Sequence, residues 1–89
     1  MTGKTILVVD DSPTDLRLMT APLQQSKGYR VLTAADGEEA LEKAAREHPD
    51  LIVLDVILPK KNGFQVCRQL KTAPDTQDIK ILMLTSSRK

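Results

Sequence analysis

Three carboxylates and one hydroxyl stand where short apolar runs end. Ile6-Leu7-Val8-Val9 runs into Asp10-Asp11, Leu51-Ile52-Val53-Leu54 into Asp55, and the stretch from Ile79 to Leu84 into Thr85. These are the donors a hard divalent cation selects, since Mg²⁺ takes octahedral oxygen ligands, commonly one or two carboxylates with waters and phosphate oxygens. A carboxylate that attacks a phosphorylated donor needs such a cation, because the attacker and the phosphoryl oxygens are all negative. If they meet in space, these groups can hold a metal ion and a phosphoryl group. Carboxylates held that close also repel one another, so the metal-free cluster is strained and metal binding stabilises the fold. Taken singly the signals are weaker. Asp10-Asp11 could merely cap a helix, Asp55 could be a strand-terminal acid, and hydroxyls such as Thr85 and Ser86 are common where strands end.

Whether the groups meet depends on the elements that carry them. Val/Ile/Leu runs without polar alternation suit strands buried on both faces, as in parallel sheets. In open sheets of that kind the ligand crevice lies outside the carboxyl ends of the strands. Strands are expected over 5–10, 29–33, 51–55 and 79–84, the second less apolar and suited to an edge. Ser12-Pro13-Thr14-Asp15 supplies an N-cap, a proline at the first helical position and an acid where a capping box wants one. Leu16, Met19 and Leu23 follow at helical spacing and should face the sheet. Pro22 should kink that helix or end it early, and Lys27-Gly28 closes it. Asp36-Gly37-Glu38-Glu39 opens a second helix with Ala40, Leu41, Ala44 and Ala45 as its inner stripe, ended by Pro49. Glu39 with Lys43 and Glu42 with Arg46 are i,i+4 pairs of favourable order on its outer side. A turn through Pro59-Lys60-Lys61-Asn62-Gly63, with Gly63 for backbone freedom, leads to a third helix near 63–72 carrying Phe64, Val66, Cys67 and Leu70. Thr72 to Asp78 is a polar connector. Alternation of strands with helices of this length indicates right-handed βαβ crossovers and a doubly wound parallel α/β sheet.

Composition narrows the function classes. An 89-residue chain has room for one small domain. Thirteen Lys and Arg against twelve Asp and Glu leave a net charge of +1, which argues against a nucleic-acid or membrane partner chosen by bulk charge. Tyr29 and Phe64 are the aromatic residues, too few for base-stacking platforms. No apolar stretch approaches a membrane span, no signal-peptide core follows Met1, and Cys67 has no partner for an internal disulfide, so a reduced cytoplasmic setting is expected. Cys67 reads as a small hydrophobe on the third helix. His48, before Pro49 at a helix end, reads as a surface cation favoured by the helix dipole.

The ordered set Lys4-Thr5-Ile6-Leu7-Val8-Val9-Asp10-Asp11-Ser12, Asp36-Gly37-Glu38-Glu39-Ala40-Leu41, Asp50 through Pro59 with Gly63, and Ile81 through Thr85-Ser86 resembles the receiver domain of two-component response regulators. The resemblance covers nearly the whole chain. It implies a flavodoxin-like fold with strand order 2-1-3-4, and a phosphoacceptor role for Asp55 toward a histidine kinase or phosphotransfer protein. It also implies Mg²⁺ held by Asp10, Asp11, Asp55 and the backbone carbonyl of Ile57, and a phosphoryl-sensing hydroxyl at Thr85. Backbone N–H groups of Val56 and Ile57 could help cradle the phosphoryl group. The resemblance makes the chain a signalling switch more than a turnover enzyme.

The chain also departs from the family's pattern. It stops at Lys89, where a fourth helix, a fifth strand ending in a lysine, and a fifth helix are expected, so residues 1–89 read as a receiver domain incomplete at its carboxyl end. Phosphoryl transfer should then be weakened. The face that the first helix only partly covers, and the edge of the fourth strand, should be open to self-association. Two other function classes compete: a phosphorylation-independent interaction domain of the same fold, and a metal-dependent phosphohydrolase with an aspartyl nucleophile. Enzymes of the haloacid-dehalogenase type place nucleophile and acid two residues apart on the first strand, whereas Asp10 and Asp11 are adjacent.

Overall fold

Each apolar run becomes a strand, and each helical stripe finds a sheet face. The computed structural model describes residues 3–25, 28–58 and 62–84. The elements in chain order are β1 (Lys4–Val9), α1 (Pro13–Gln25), β2 (Tyr29–Ala34), α2 (Gly37–Glu47), β3 (Leu51–Asp55), α3 (Gly63–Thr72) and β4 (Lys80–Leu84). All pairings are parallel and the sheet order is β2-β1-β3-β4. The expected fold class and order are those observed. Expectations placed on Lys27, Pro59, Lys60, Lys61, Thr85 and Ser86 lie outside the described residues.

The register sorts the strand residues onto two faces. Leu7, Val9, Ala34, Ile52 and Leu54 are buried against Ala40 and Ala44 of α2 and Val66 and Leu70 of α3, with Leu32, Ile81 and Met83 packed around them. α1 lies over the opposite face at β1 and β2, where Ile6 and Val8 are buried. On that face Leu82 and Leu84 of β4 stand 52% and 37% exposed among the described residues.

Several local expectations are corrected. β1 stops at Val9, so Asp10 stands just beyond the strand, and β4 begins at Lys80, not at Ile79. α1 continues through Pro22 to Gln25 and does not end early. Leu18 and Pro22 are both exposed, so the missing hydrogen bond lies on the outer side of the helix. Leu16, Met19 and Leu23 are half-buried, and Thr20 is the buried residue of α1. Ala45 is exposed at the rim of the α2 stripe. Phe64 is 62% exposed, because Val66 and Leu70 set the buried face of α3 and residue 64 lies about 200° away from Val66 at roughly 100° per residue. Arg46 turns to Glu47 at 3.4 Å, while the Glu39–Lys43 pair forms at 3.1 Å.

The helix ends are set by side chains. Asp36 accepts from the Glu39 N–H at 2.8 Å, and Glu39 reaches back to the Ala35 N–H at 2.9 Å. At the other end of α2, His48 caps in the left-handed region, with φ of 50° and its N–H donated to the Ala44 carbonyl. Asn62 and Gln65 form a full capping box at the start of α3. At the amino end of the sheet, Asp50 joins β1 to β3 by accepting from the Thr5 N–H at 2.8 Å while its own N–H donates to the Thr5 carbonyl.

Candidate phosphoacceptor and metal site

The central strands β1 and β3 are neighbours, with Val9 opposite Leu54, so the residues that follow them emerge side by side at the carboxyl end of the sheet. Asp10, Asp11 and Asp55 each offer a carboxylate oxygen there, and these oxygens all lie within 4.8 Å of one another. Asp10 and Asp55 are buried, at 5% and 3% exposure, whereas Asp11 is exposed. The cluster therefore opens to solvent on the Asp11 side.

Backbone groups hold the two buried acids. The Asp10 N–H continues the sheet to the Ala34 carbonyl at 3.1 Å, and its Oδ1 accepts from the Ser12 N–H at 2.9 Å. Ser12 in turn starts α1, its Oγ accepting from the Asp15 N–H at 3.3 Å and its carbonyl from the Leu16 N–H at 2.9 Å. The capping of α1 is thus the work of Ser12. Asp55 Oδ1 accepts from the Ile57 N–H at 3.0 Å, a bond that turns the carboxylate at the strand end.

Of the two N–H groups expected to cradle an anion, Val56 is already committed. It donates to the Leu84 carbonyl at 2.9 Å as the last rung between β3 and β4. Ile57 lies on the turn two residues past Asp55, with its side chain exposed. Thr85 lies outside the described residues, while Leu84 before it pairs with Asp55.

Gly63 has a role that composition did not suggest. A Cβ built at this position would come within 2.5 Å of the Asp55 carbonyl oxygen and 2.7 Å of the Val56 Cα. Its N–H donates to the Val56 carbonyl at 2.7 Å. The start of α3 is therefore pressed against the turn that carries Asp55, and glycine is required by close approach of backbone. The spacing of Asn62 to Gln65 is a readable capping-box signal, and Gly63 beside it marks the contact.

Chemically, the donor set fits a small hard cation. Oxygens around Mg²⁺ at about 2.1 Å sit about 3 Å apart when adjacent and about 4.2 Å apart when opposite. A carboxylate cluster within 4.8 Å can meet such an ion directly or through a water.

Comparison with known proteins places this geometry. The response regulator receiver domain pattern matches residues 6–89. The chain is 54% identical over 84 residues to the alkaline phosphatase synthesis transcriptional regulatory protein PhoP of Bacillus subtilis, covering 94% of this chain and 34% of that protein. It spans, then, about a third of the length of that curated relative. Among solved structures, the amino-terminal domain of a response regulator receiver protein from Methanoculleus marisnigri matches with a TM-score of 0.89 at 43% identity, over 94% of this chain and 68% of the other. The receiver domain of the sensor histidine kinase PA1611 of Pseudomonas aeruginosa, solved with a magnesium ion coordinated in its active-site cleft, matches with a TM-score of 0.89 at 32% identity, over 97% and 70% of the two chains. The chain belongs to the response regulator receiver domain family.

Proposed function

We propose that the chain is a phosphoryl-accepting switch of a two-component phosphorelay, taking a phosphoryl group from a histidine kinase or phosphotransfer protein onto Asp55. The observation that carries this reading is the meeting of three carboxylates, two of them buried, at the carboxyl ends of β1 and β3. In the transfer, an Asp55 oxygen attacks phosphorus, the bond from phosphorus to the donor nitrogen breaks, and an acyl phosphate forms. Asp10, Asp11, Asp55 and the Ile57 carbonyl would hold Mg²⁺, which when bound offsets charge on the phosphoryl oxygens. The PA1611 receiver, with magnesium in the corresponding cleft, supports that assignment. Thr85, following the β4 residue that pairs with Asp55, is assigned the phosphoryl-sensing hydroxyl. The domain acts as a signalling module in a cytoplasmic relay.

The phosphohydrolase reading has less support, since adjacency of Asp10 and Asp11 does not match its nucleophile spacing. An interaction role is compatible with the switch, with Leu82 and Leu84 of β4 exposed among the described residues.

The test is intact-mass analysis after incubation with acetyl phosphate and Mg²⁺. The expected result is one added phosphoryl group, absent in Asp55→Asn and without added divalent cation. Modification that persists in Asp55→Asn would overturn the assignment of the acceptor.

A further inference from the structure

Both buried acids of the cluster are held by the same local device. Asp10 Oδ1 accepts from the Ser12 N–H and Asp55 Oδ1 from the Ile57 N–H, each two residues further on. Such a turn fixes a carboxylate as firmly as the peptide that donates to it is fixed. At Asp10 the donor residue, Ser12, itself starts α1, its Oγ and its carbonyl both accepting from the helix. At Asp55 the donor is a peptide in a turn, and the Ile57 side chain is exposed. What steadies that turn is the start of α3.

The peptide group joining Val56 to Ile57 is gripped at both ends. A peptide is planar, and in its trans form the C=O and N–H point in opposite directions. The Val56 carbonyl accepts from the Gly63 N–H at 2.7 Å, while the Ile57 N–H of the same plane donates to Asp55 at 3.0 Å. A rotation of the plane that breaks one bond therefore misaligns the other. The peptide before it is held as well. Its N–H, that of Val56, donates to Leu84, and its carbonyl, that of Asp55, lies where a Cβ on residue 63 would come within 2.5 Å. Gly63 is the first residue of α3, and its N–H is one of those a helix leaves without an internal partner. Its direction is set by the cap beside it. Asn62 Oδ1 accepts from the Gln65 N–H at 2.9 Å, Gln65 Oε1 from the Asn62 N–H at 3.0 Å, and the Asn62 carbonyl from the Val66 N–H at 3.2 Å.

We propose that the Asn62–Gln65 capping box is a positioning device for the acceptor. It aims the Gly63 N–H, which orients the Val56–Ile57 peptide, which in turn holds the Asp55 carboxylate in one rotamer. Asn62 and Gln65 are exposed and act through the backbone, so they are positioning residues. The two bonds run head to tail from the positive end of α3 to a carboxylate, and hydrogen bonds in such a series polarise one another. The consequence rests on Asp55 being the phosphoacceptor, and it is kinetic. In-line attack needs one carboxylate oxygen presented to phosphorus, and a carboxylate that samples other rotamers spends less time in an attacking pose.

Two measurements on the whole chain test this: the side-chain coupling constants of Asp55 by NMR without metal, and the rate of mass gain with acetyl phosphate and Mg²⁺. Both are made well below the melting temperature of every variant. Wild type should hold Asp55 in one rotamer. Asn62→Ala, at an exposed position outside the core, should average the Asp55 couplings and slow phosphorylation about tenfold. Asn62→Ser should restore both, since serine caps about as well as asparagine. Thr76→Val is the control for a merely structural effect. It removes a hydroxyl that donates to the Leu70 carbonyl at 2.7 Å near the other end of α3, so it should lower Tm and leave couplings and rate as in wild type. Unchanged couplings and rate in Asn62→Ala would overturn the role of the cap. So would a failure of serine to restore them, an equal slowing by Thr76→Val, or a wild-type Asp55 that already averages among rotamers. A wild type that takes no phosphoryl group would sink the acceptor reading instead, and the couplings alone would still decide what aims the carboxylate.

Discussion

Neutralising Asp55 should make the metal-free protein more stable, not less. The carboxylate oxygens of Asp10, Asp11 and Asp55 lie within 4.8 Å of one another. Two unit charges at that separation repel by about 3.5 kcal/mol at an effective dielectric constant of about 20, and by about 0.9 kcal/mol in water. Asp10 and Asp55 are buried and lean toward the first figure, whereas Asp11 is exposed and leans toward the second. Asp55→Asn removes the Asp55 share of this repulsion and the desolvation of its charge. It keeps an oxygen to accept from the Ile57 N–H, so the local turn survives. Allowing for relaxation, we expect about 2 kcal/mol of stabilisation, or roughly 8–16 °C in Tm for a domain of this size.

The assay is thermal unfolding followed by circular dichroism, in chelator and then with increasing Mg²⁺ at constant ionic strength. Wild type should gain stability with metal, by about 2.7 kcal/mol at a concentration one hundred times the Kd. Asp55→Asn should gain much less, so the two melting curves converge. Asp50→Asn is the control, because Asp50 sits at the opposite end of the strands, bonded to Thr5, and should show no gain in chelator. The reasoning is refuted if Asp55→Asn melts below wild type in chelator, or if Mg²⁺ stabilises both proteins equally.

The remaining expectations concern the supports of the site and the fold. Gly63→Ala forces a Cβ within 2.5 Å of the Asp55 carbonyl oxygen; overpacking against backbone should cost about 3 kcal/mol, beyond the roughly 1 kcal/mol that alanine's helix propensity returns, and should weaken Mg²⁺ binding in a calorimetric titration. His48→Gly removes a side chain from a left-handed cap at φ of 50° and should stabilise by about 0.5–1 kcal/mol in urea unfolding. The Glu39 carboxyl is held below its ordinary value near 4.5, first by the Ala35 N–H and then by Lys43. Its contribution is therefore fully present above that value and is lost as pH falls toward its folded pKa. Glu39→Gln should lower Tm at neutral pH and flatten the acid limb of a Tm-against-pH curve.

How far the sequence carries the fold differs from residue to residue. The strands are legible because short unbroken runs of Val, Ile and Leu, too brief for a buried helix and rich in β-branched side chains, suit a sheet covered on both faces. Asp36 and Ser12 are legible as caps because each stands before a helical stripe with an acid three positions on. Which face a helical residue takes depends on its neighbours: the sequence puts Phe64 on the third helix, and the angle to Val66 and Leu70 turns it outward. Gly63 reads locally as backbone freedom, while its true constraint is the Asp55–Val56 turn, a tertiary contact no local pattern encodes. Val56 reads as an anion donor because the pairing that consumes its N–H involves a strand nearly thirty residues away.

The same long-range pairing explains why metal binding and switching need not share one fate. All three carboxylates come from the ends of β1 and β3, which among the described residues are the strands with sheet neighbours on both sides. Their relative placement is set by the Val9–Leu54 register and by Asp50 at the far end, so a metal ion meets donors held by the best-supported part of the sheet. The hydroxyl assigned to sense the phosphoryl group follows β4, which is bonded on one side only among the described residues. What braces β4 is its pairing to β3, ending at the Val56–Leu84 rung, together with Ile81 and Met83 packed at the margin of the core. A displacement of β4 therefore acts on the sensing position first and on the metal cluster only through that rung.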